Sequence, residues 1–365
     1  MVLNQQFLGR SLPEIPTYPS MEGWKEFSIN YSDEPLVPLG VFAGDYKEAY
    51  KPYSRIFTDS IYAQQHTSTS PYEGGLDGSL LTCFVRQGIA DRLLAAQSHL
   101  PEKHAFVVWD TFRTLDVQQA LFDDYRDQLV EKRGMSMEEA TEFAQKYVSI
   151  PSADPTCPSP HNTGASVDLS IVKFSDKGWA QLQALEGRLN SDDWKVVYKA
   201  EMEWLRLYRE ETKPLNMGTV FDEMTDKVST RFYEEQQAQG ELTNMEREIL
   251  MNRRLLVDVM GKVGFSNYPE EWFHFDFGNQ FHMSRTGEPA VYGAAVFSGD
   301  NQKHERMRRE HLHGSEILRN QGKLLDQFGT LVQQHPLAPL VQQVAKETGD
   351  MRQVTRHDSA SKLVA

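Results

Sequence analysis

The sequence predicts an α+β fold. Short runs dense in β-branched and aromatic residues, HAFVVW at 104–109, VDLSIVKF at 167–174 and EWFHFDF at 271–277, have the length and composition of strands. Longer stretches around them, at about 79–98, 116–132, 136–148, 176–213 and 244–262, carry apolar residues at helical spacing. Hydrophobic residues make up 39% of the chain and charged residues 25%, which is the composition of a folded protein rather than a disordered one. At 365 residues the chain exceeds the usual single-domain length, so one core with an insertion and an appended segment is the economical reading.

Taken in order, residues 1–77 mix Pro, Gly and Tyr with short apolar runs such as LVPLGVFAG and read as loops and short strands. From Ser79, the residues Leu80, Leu81, Phe84, Val85, Ile89, Leu93 and Leu94 fall on one broad face, which predicts a helix to about Ser98. The strand at 104–109 delivers Asp110 and Arg113 just past its end. Asp116 can cap the next helix, to about Lys132, and Ser136 with Glu139 forms a capping box for another ending near Val148. Four prolines in IPSADPTCPSP make 150–160 an irregular loop. In the strand Val167–Phe174, alternation sends Val167, Leu169 and Ile171 one way and Asp168 and Ser170 the other, so Asp168 points away from the apolar layer.

Residues 176–213 read as two helices, the second carrying Trp194, Val197, Tyr198, Leu205 and Tyr208. A helix from about Asn244 to Lys262, stopped by Gly264, precedes the aromatic strand Glu271–Phe277. Beyond 280 the texture turns to Gly-punctuated loops, charged helices from about His304 and a polar tail after Asp350. The cluster His304, Arg306, Arg308, Arg309, His311 and His313 reads as a solvated helical face.

A net charge of -14 opposes binding to nucleic acid or anionic membrane, and no stretch approaches the ~20 apolar residues of a membrane span. The start, MVLNQQFLGRSLPEIP, lacks the order of a signal peptide, so a cytoplasmic protein is expected. Cys83 and Cys157 are too few for a disulfide framework and form no Cys-x-x-Cys pair. Any metal must therefore be held by histidines and carboxylates.

Those residue types occur in two places. SPHNTGASVDLS sets His161 at the end of a loop and Asp168 on the following strand, with Gly164 permitting the turn between them. An imidazole and a carboxylate are good zinc donors, but a catalytic site needs a third protein ligand and room for water. YPEEWFHFDFG supplies His274, with Glu270 and Glu271 just before it. A carboxylate beside the water is needed as a base, and periodicity alone does not choose between these two glutamates. On an extended strand Glu270 shares a face with His274, whereas a kink near Pro269 would reverse the phase.

These segments carry a family resemblance. SPHNTGASVDLS resembles the Ser-x-His-x-x-Gly-x-x-x-Asp-Leu signature of the VanX-like D-alanyl-D-alanine dipeptidases, and EWFHF resembles their Glu-Trp-Trp-His-Tyr. WDTFR is similar to the family's Trp-Asp-Gly-Tyr-Arg and NMGTVFDEM to its Met-Gly-Ser-x-Phe-Asp, in the same order along the chain. The resemblance, over roughly residues 75–280, implies one zinc ion per chain held by His161, Asp168 and His274, with Glu271 as general base. It implies further that Arg113 steadies the tetrahedral transition state, that Asp222 holds the ammonium of the dipeptide, and that Ser159 contacts substrate. It also implies a small, mainly antiparallel sheet carrying the zinc, with helices on its outer face. Arg113 is followed by Thr114 instead of proline, Phe273 and Phe275 replace other aromatic residues, and 176–213 looks inserted.

The expectation is thus a zinc dipeptidase-like domain over 1–280, including a helical insertion at 176–213, and a C-terminal extension over 281–365. Its substrate is a small peptide, most naturally D-alanyl-D-alanine. A D,D-carboxypeptidase or amidase of the same zinc class and a non-catalytic zinc-binding module are the alternatives. Taken singly, each residue has an ordinary explanation: His161 a hydrogen-bonded loop histidine, Arg113 a salt-bridging residue, Asp222 a helix cap, Ser159 a turn residue.

Overall fold

The apolar alternation at 166–174 becomes the longest strand among the described residues and the centre of the main sheet. The computed structural model of the chain describes residues 12–63, 75–76, 78–145, 147–223 and 225–312. The chain divides into two units, Met1–Arg306 and Met307–Ala365. Of the second, residues 307–312 are described and helical; the rest of the expected charged helices, His313 and the polar tail lie outside the described residues.

In chain order the first unit contains β1 (Leu36–Pro38), α1 (Ala43–Tyr46), β2 (Phe57–Thr58), β3 (Phe84–Arg86), α2 (Gln87–Gln97), β4 (His104–Asp110), α3 (Leu115–Arg133), α4 (Met137–Ala144), β5 (Ser166–Phe174), α5 (Asp176–Leu189), α6 (Trp194–Glu211), β6 (Thr212–Pro214), α7 (Phe232–Gln239), α8 (Asn244–Gly261), β7 (Ser266–Asn267), β8 (His274–Asp276) and α9 (Gln280–Thr286). The main sheet runs β2-β4-β5-β8-β7, with β6 also paired to β5. Only the β2–β4 pairing is parallel; the other pairings are antiparallel. The expected α+β architecture with a small, mainly antiparallel sheet is therefore what forms.

One face of the sheet is the apolar layer. Phe106 and Val108 of β4 and Val167, Leu169 and Ile171 of β5 are buried in one cluster with Ile89 and Leu93 of α2 and Leu256 and Val259 of α8. On the opposite face, α6 covers one end by stacking Tyr208 on Phe57 (4.5 Å) and against Phe174 (4.7 Å). Asp168 lies on that same opposite face, so the helical pair α5–α6 leaves the other end of the face for polar groups. Among the described residues no helix is long and apolar enough to cross a membrane.

Five local expectations are corrected. Residues 79–86 are not helical: Phe84–Arg86 pair antiparallel with Leu36–Pro38, and the helix begins at Gln87. A strand buried on both faces shows no alternation, so its apolar residues extend a helical stripe by accident. Thr114, not Asp116, caps α3 by accepting from Val117 N, and α4 ends at Ala144, short of Val148. Only His274–Asp276 of the segment 271–277 is strand, because Glu271–Phe273 form a turn whose backbone bonds go to Tyr268 and Val228. His304 is no solvated residue: it is buried edge-on against Tyr46 (5.5 Å) and Phe84 (6.1 Å).

Helix α6 also carries a buried acid. Burial, then Asp45, pushes Glu201 up to about 7, against the Phe42 N–H, Ser54 and Arg55 that favour its charge. A folded pKa above the unfolded value of 4.5 gives stability that is complete below 4.5 and is lost as pH rises through 7. Glu201→Gln is expected to match the parent near pH 4.5 and to exceed it at pH 8, by up to about 3 kcal/mol. Denaturant melts at both pH values measure this, and equal stabilities at pH 8 would contradict it.

Candidate metal centre

A row of side chains crosses three strands of the sheet. Asp168 on β5 is the register partner of Asp110 on β4 and of His274 on β8. Side chains directly opposite in antiparallel strands project together, so these three acid and imidazole groups converge by pairing alone. His161 enters from above, on the 3-10 turn Pro160–Thr163. Gly164 follows it at φ 69, where a Cβ would collide with Leu36, and so glycine is required for the chain to turn down into β5.

The metal-ligating atoms of His161, Asp168 and His274 all lie within 4.8 Å of one another, and all three residues are buried. His274 Nδ1 is 2.9 Å from Asp168 Oδ1 and 3.1 Å from His161 Nε2, and His161 Nε2 is 3.4 Å from Asp168 Oδ2. The remaining ring nitrogens are committed elsewhere. His161 Nδ1 donates to the Thr111 carbonyl at 2.6 Å, an atom that can only accept. His274 Nε2 donates to Asp276 Oδ2 at 2.9 Å. The facing ring nitrogens of His161 and His274 and the Asp168 carboxylate make a donor set that fits a divalent cation with nitrogen and oxygen ligands.

The electrostatics agree. Burial opposes the charge of Asp168, but His161 and His274 hold its carboxyl well below the usual carboxylate range. Burial likewise lowers His274, yet Asp276 and Asp168 raise it to about 10, so a positive charge is strongly favoured at this point. Burial works against ionisation of Asp276 too, and His274 with Arg285 outweighs it.

The other expected residues surround the cluster. Glu271 Oε2 is 3.9 Å from His274 Nδ1, whereas Glu270 is exposed. The turn at 271–273 thus reverses the strand phase that would have chosen Glu270. Glu271 is pushed up to about 8, first by burial; Asp168 and Asp222 add to this while His274 and Arg113 oppose it. Arg113 is buried and donates through Nε to Asp110 and through Nη2 to Tyr62 Oη (3.1 Å) and Asp168 Oδ2 (3.4 Å). Although burial opposes its charge, Asp110, Tyr62, Asp168 and Asp222 raise it well above its ordinary value. Asp222 sits at φ 53, a left-handed conformation that aspartate tolerates, and accepts from Tyr62 Oη at 3.4 Å. Ser159 is buried, donating to Asn162 Oδ1 at 2.5 Å, and Asn162 in turn holds the Arg113 carbonyl. All seven residues line one cavity of about 270 Å³, walled also by Met21, Trp24, Tyr125 and Phe273.

Comparison with known proteins bears directly on these residues. A peptidase family described as D-ala-D-ala dipeptidase matches residues 199–290, which include Asp222, Glu271 and His274. A D-alanyl-D-alanine dipeptidase of Synechocystis sp. is 23% identical over 259 residues, covering 68% of this chain and 83% of the relative. The chain resembles the D-alanyl-D-alanine dipeptidases. That likeness supports a peptidase, and the cluster of two histidines and an aspartate gives a dipeptidase-like chain a place for a metal ion.

Sequence reasoning missed several residues of this dipeptidase-like site. Asp276 was legible in principle, since His274 and Asp276 stand two apart on one strand face. Tyr62 carried no local signal, because it reaches the site from an element distant in sequence; Asn162 stands beside His161 on the same turn, and Arg285 follows Asp276 by nine positions on the next helix.

Proposed function

We propose that the chain is a zinc-dependent dipeptidase that hydrolyses D-alanyl-D-alanine. The observation that carries this reading is the convergence of the buried His161 Nε2, His274 Nδ1 and Asp168 carboxylate beside Glu271 in one cavity. A zinc ion held by those three side chains would acidify a water molecule and polarise the scissile carbonyl. In this reading Glu271 takes a proton from the attacking water and returns it to the leaving amine, and its 3.9 Å separation from His274 Nδ1 supports that role. Arg113, buried and permanently charged, faces the same space and is suited to a developing oxyanion. Asp222 offers a carboxylate to the free ammonium and Ser159 a polar contact at the cavity wall.

At about 270 Å³ the cavity falls just below the ~300–1,000 Å³ typical of pockets for drug-sized ligands, which favours a dipeptide over a longer chain. Hydrolysis of free D-alanyl-D-alanine, its N-acetylated form and a D,D-terminated tripeptide tests the reading. Cleavage of the free dipeptide alone is expected, with loss of activity on chelation. Equal cleavage of the N-acetylated or longer peptide would instead indicate a carboxypeptidase. Asp222→Asn is expected to raise KM for the free dipeptide about 10–100-fold, the value of one charge-assisted contact. An unchanged KM would remove Asp222 from substrate binding.

A further inference from the structure

His274 can serve as a ligand only while its ring is held in one orientation. A half-turn about Cβ–Cγ would put Cδ2 where Nδ1 now faces Asp168 and His161, and carbon binds no metal. The group that blocks this half-turn is Asp276, whose Oδ2 accepts from His274 Nε2 at 2.9 Å and from Arg285 Nη2 at 2.5 Å. Its Oδ1 accepts from Ser166 Oγ at 2.5 Å and Asn279 Nδ2 at 2.8 Å. Four donors thus fix the carboxylate in place, and the side chains of both Asp276 and Arg285 are fully buried. Arg285 is itself held by Ser266 through Oγ (3.1 Å) and the carbonyl (3.2 Å).

The strand pairing ties this cluster to the metal ligands. The two-strand ladder that sets Asp168 opposite His274 also sets Ser166 opposite Asp276. Ligands occupy one pair of rungs and their support the other. A buried ion pair adds little net stability over an apolar pair of the same size, because both charges must be desolvated. Its use here is in orientation.

We propose that Asp276, clamped by Arg285, is a positioning residue that keeps Nδ1 of His274 aimed at the bound metal; this rests on the metal-dependent reading above. Supporting partners of this kind typically change metal affinity 10–100-fold when removed. The test is zinc affinity by competition with a chromophoric chelator, together with the visible spectrum of the cobalt(II)-loaded protein. Asp276→Asn keeps the shape and loses the charge; it is expected to weaken zinc binding about 10–100-fold and to alter the cobalt spectrum. A folded Asp276→Asn protein with zinc affinity within about twofold of the parent and an unchanged spectrum would overturn the proposal, since a merely structural cross-link would lower only the melting temperature. Should that variant fail to fold, Ser166→Ala, which removes one donor to the same carboxylate, decides. A several-fold loss of affinity with a changed spectrum supports the proposal, and parental values refute it. If the parent protein itself binds neither metal, the metal-dependent reading fails first, and that outcome is distinct from the failure of Asp276 alone.

Discussion

Replacing Glu271 with Gln is expected to lower kcat about 10²–10⁴-fold while one zinc per chain stays bound. The carboxylate lies 3.9 Å from Nδ1 of His274, near enough to reach a water beside an ion held by the clustered His161, Asp168 and His274, and is not part of that cluster. An amide of the same shape fills the same space but cannot accept and return a proton. A fall in kcat at constant KM would locate the loss in the transition state rather than in binding. Native kcat in a zinc-loaded Glu271→Gln protein would assign the base elsewhere.

Arg253→Met is expected to cost about 3–5 kcal/mol of stability and to loosen the segment that presents Asp222. Arg253 on α8 is buried and donates to the carbonyls of Met217 (2.8 Å), Lys227 (2.6 Å) and Ser229 (2.6 Å), pinning both ends of the loop 217–230 onto the helix. Its partners include the Thr230 carbonyl (3.4 Å) and the ring of Tyr233 (4.9 Å), so its charge is solvated by the loop. Burial accordingly lowers its pKa to about 10, with Tyr233 opposing. Methionine would fill the volume and leave those acceptors without donors. Denaturant unfolding should show the loss. A parental midpoint would mean that the loop is held by its other contacts, such as the Asn252 bond to the Asn216 carbonyl.

Much of the site was legible before the fold was known. His161 and Asp168 stand in one short segment, and alternation alone puts Asp168 on the polar face of its strand, where β5 carries it. The capping box at Ser136 and the two helices of 176–213 follow from local chemistry and periodicity, and both form. The residues that hold the ligands were harder. Tyr62 approaches from 51 positions before Arg113, and Arg285 from a short helix after the last motif. Contacts of that kind are made by tertiary packing and leave no local pattern. The strand at 84–86 was hidden for the same reason, since its partner β1 lies some fifty residues upstream and both faces are covered.

X-ray absorption of the zinc-loaded protein tests the convergence of these ligands most directly. Two imidazole nitrogens at about 2.0–2.1 Å and carboxylate oxygen at about 2.0–2.2 Å are expected, with the double variant His161→Ala/His274→Ala retaining no stoichiometric metal. Zinc held through sulfur, or bound at full stoichiometry after both histidines are removed, would contradict it.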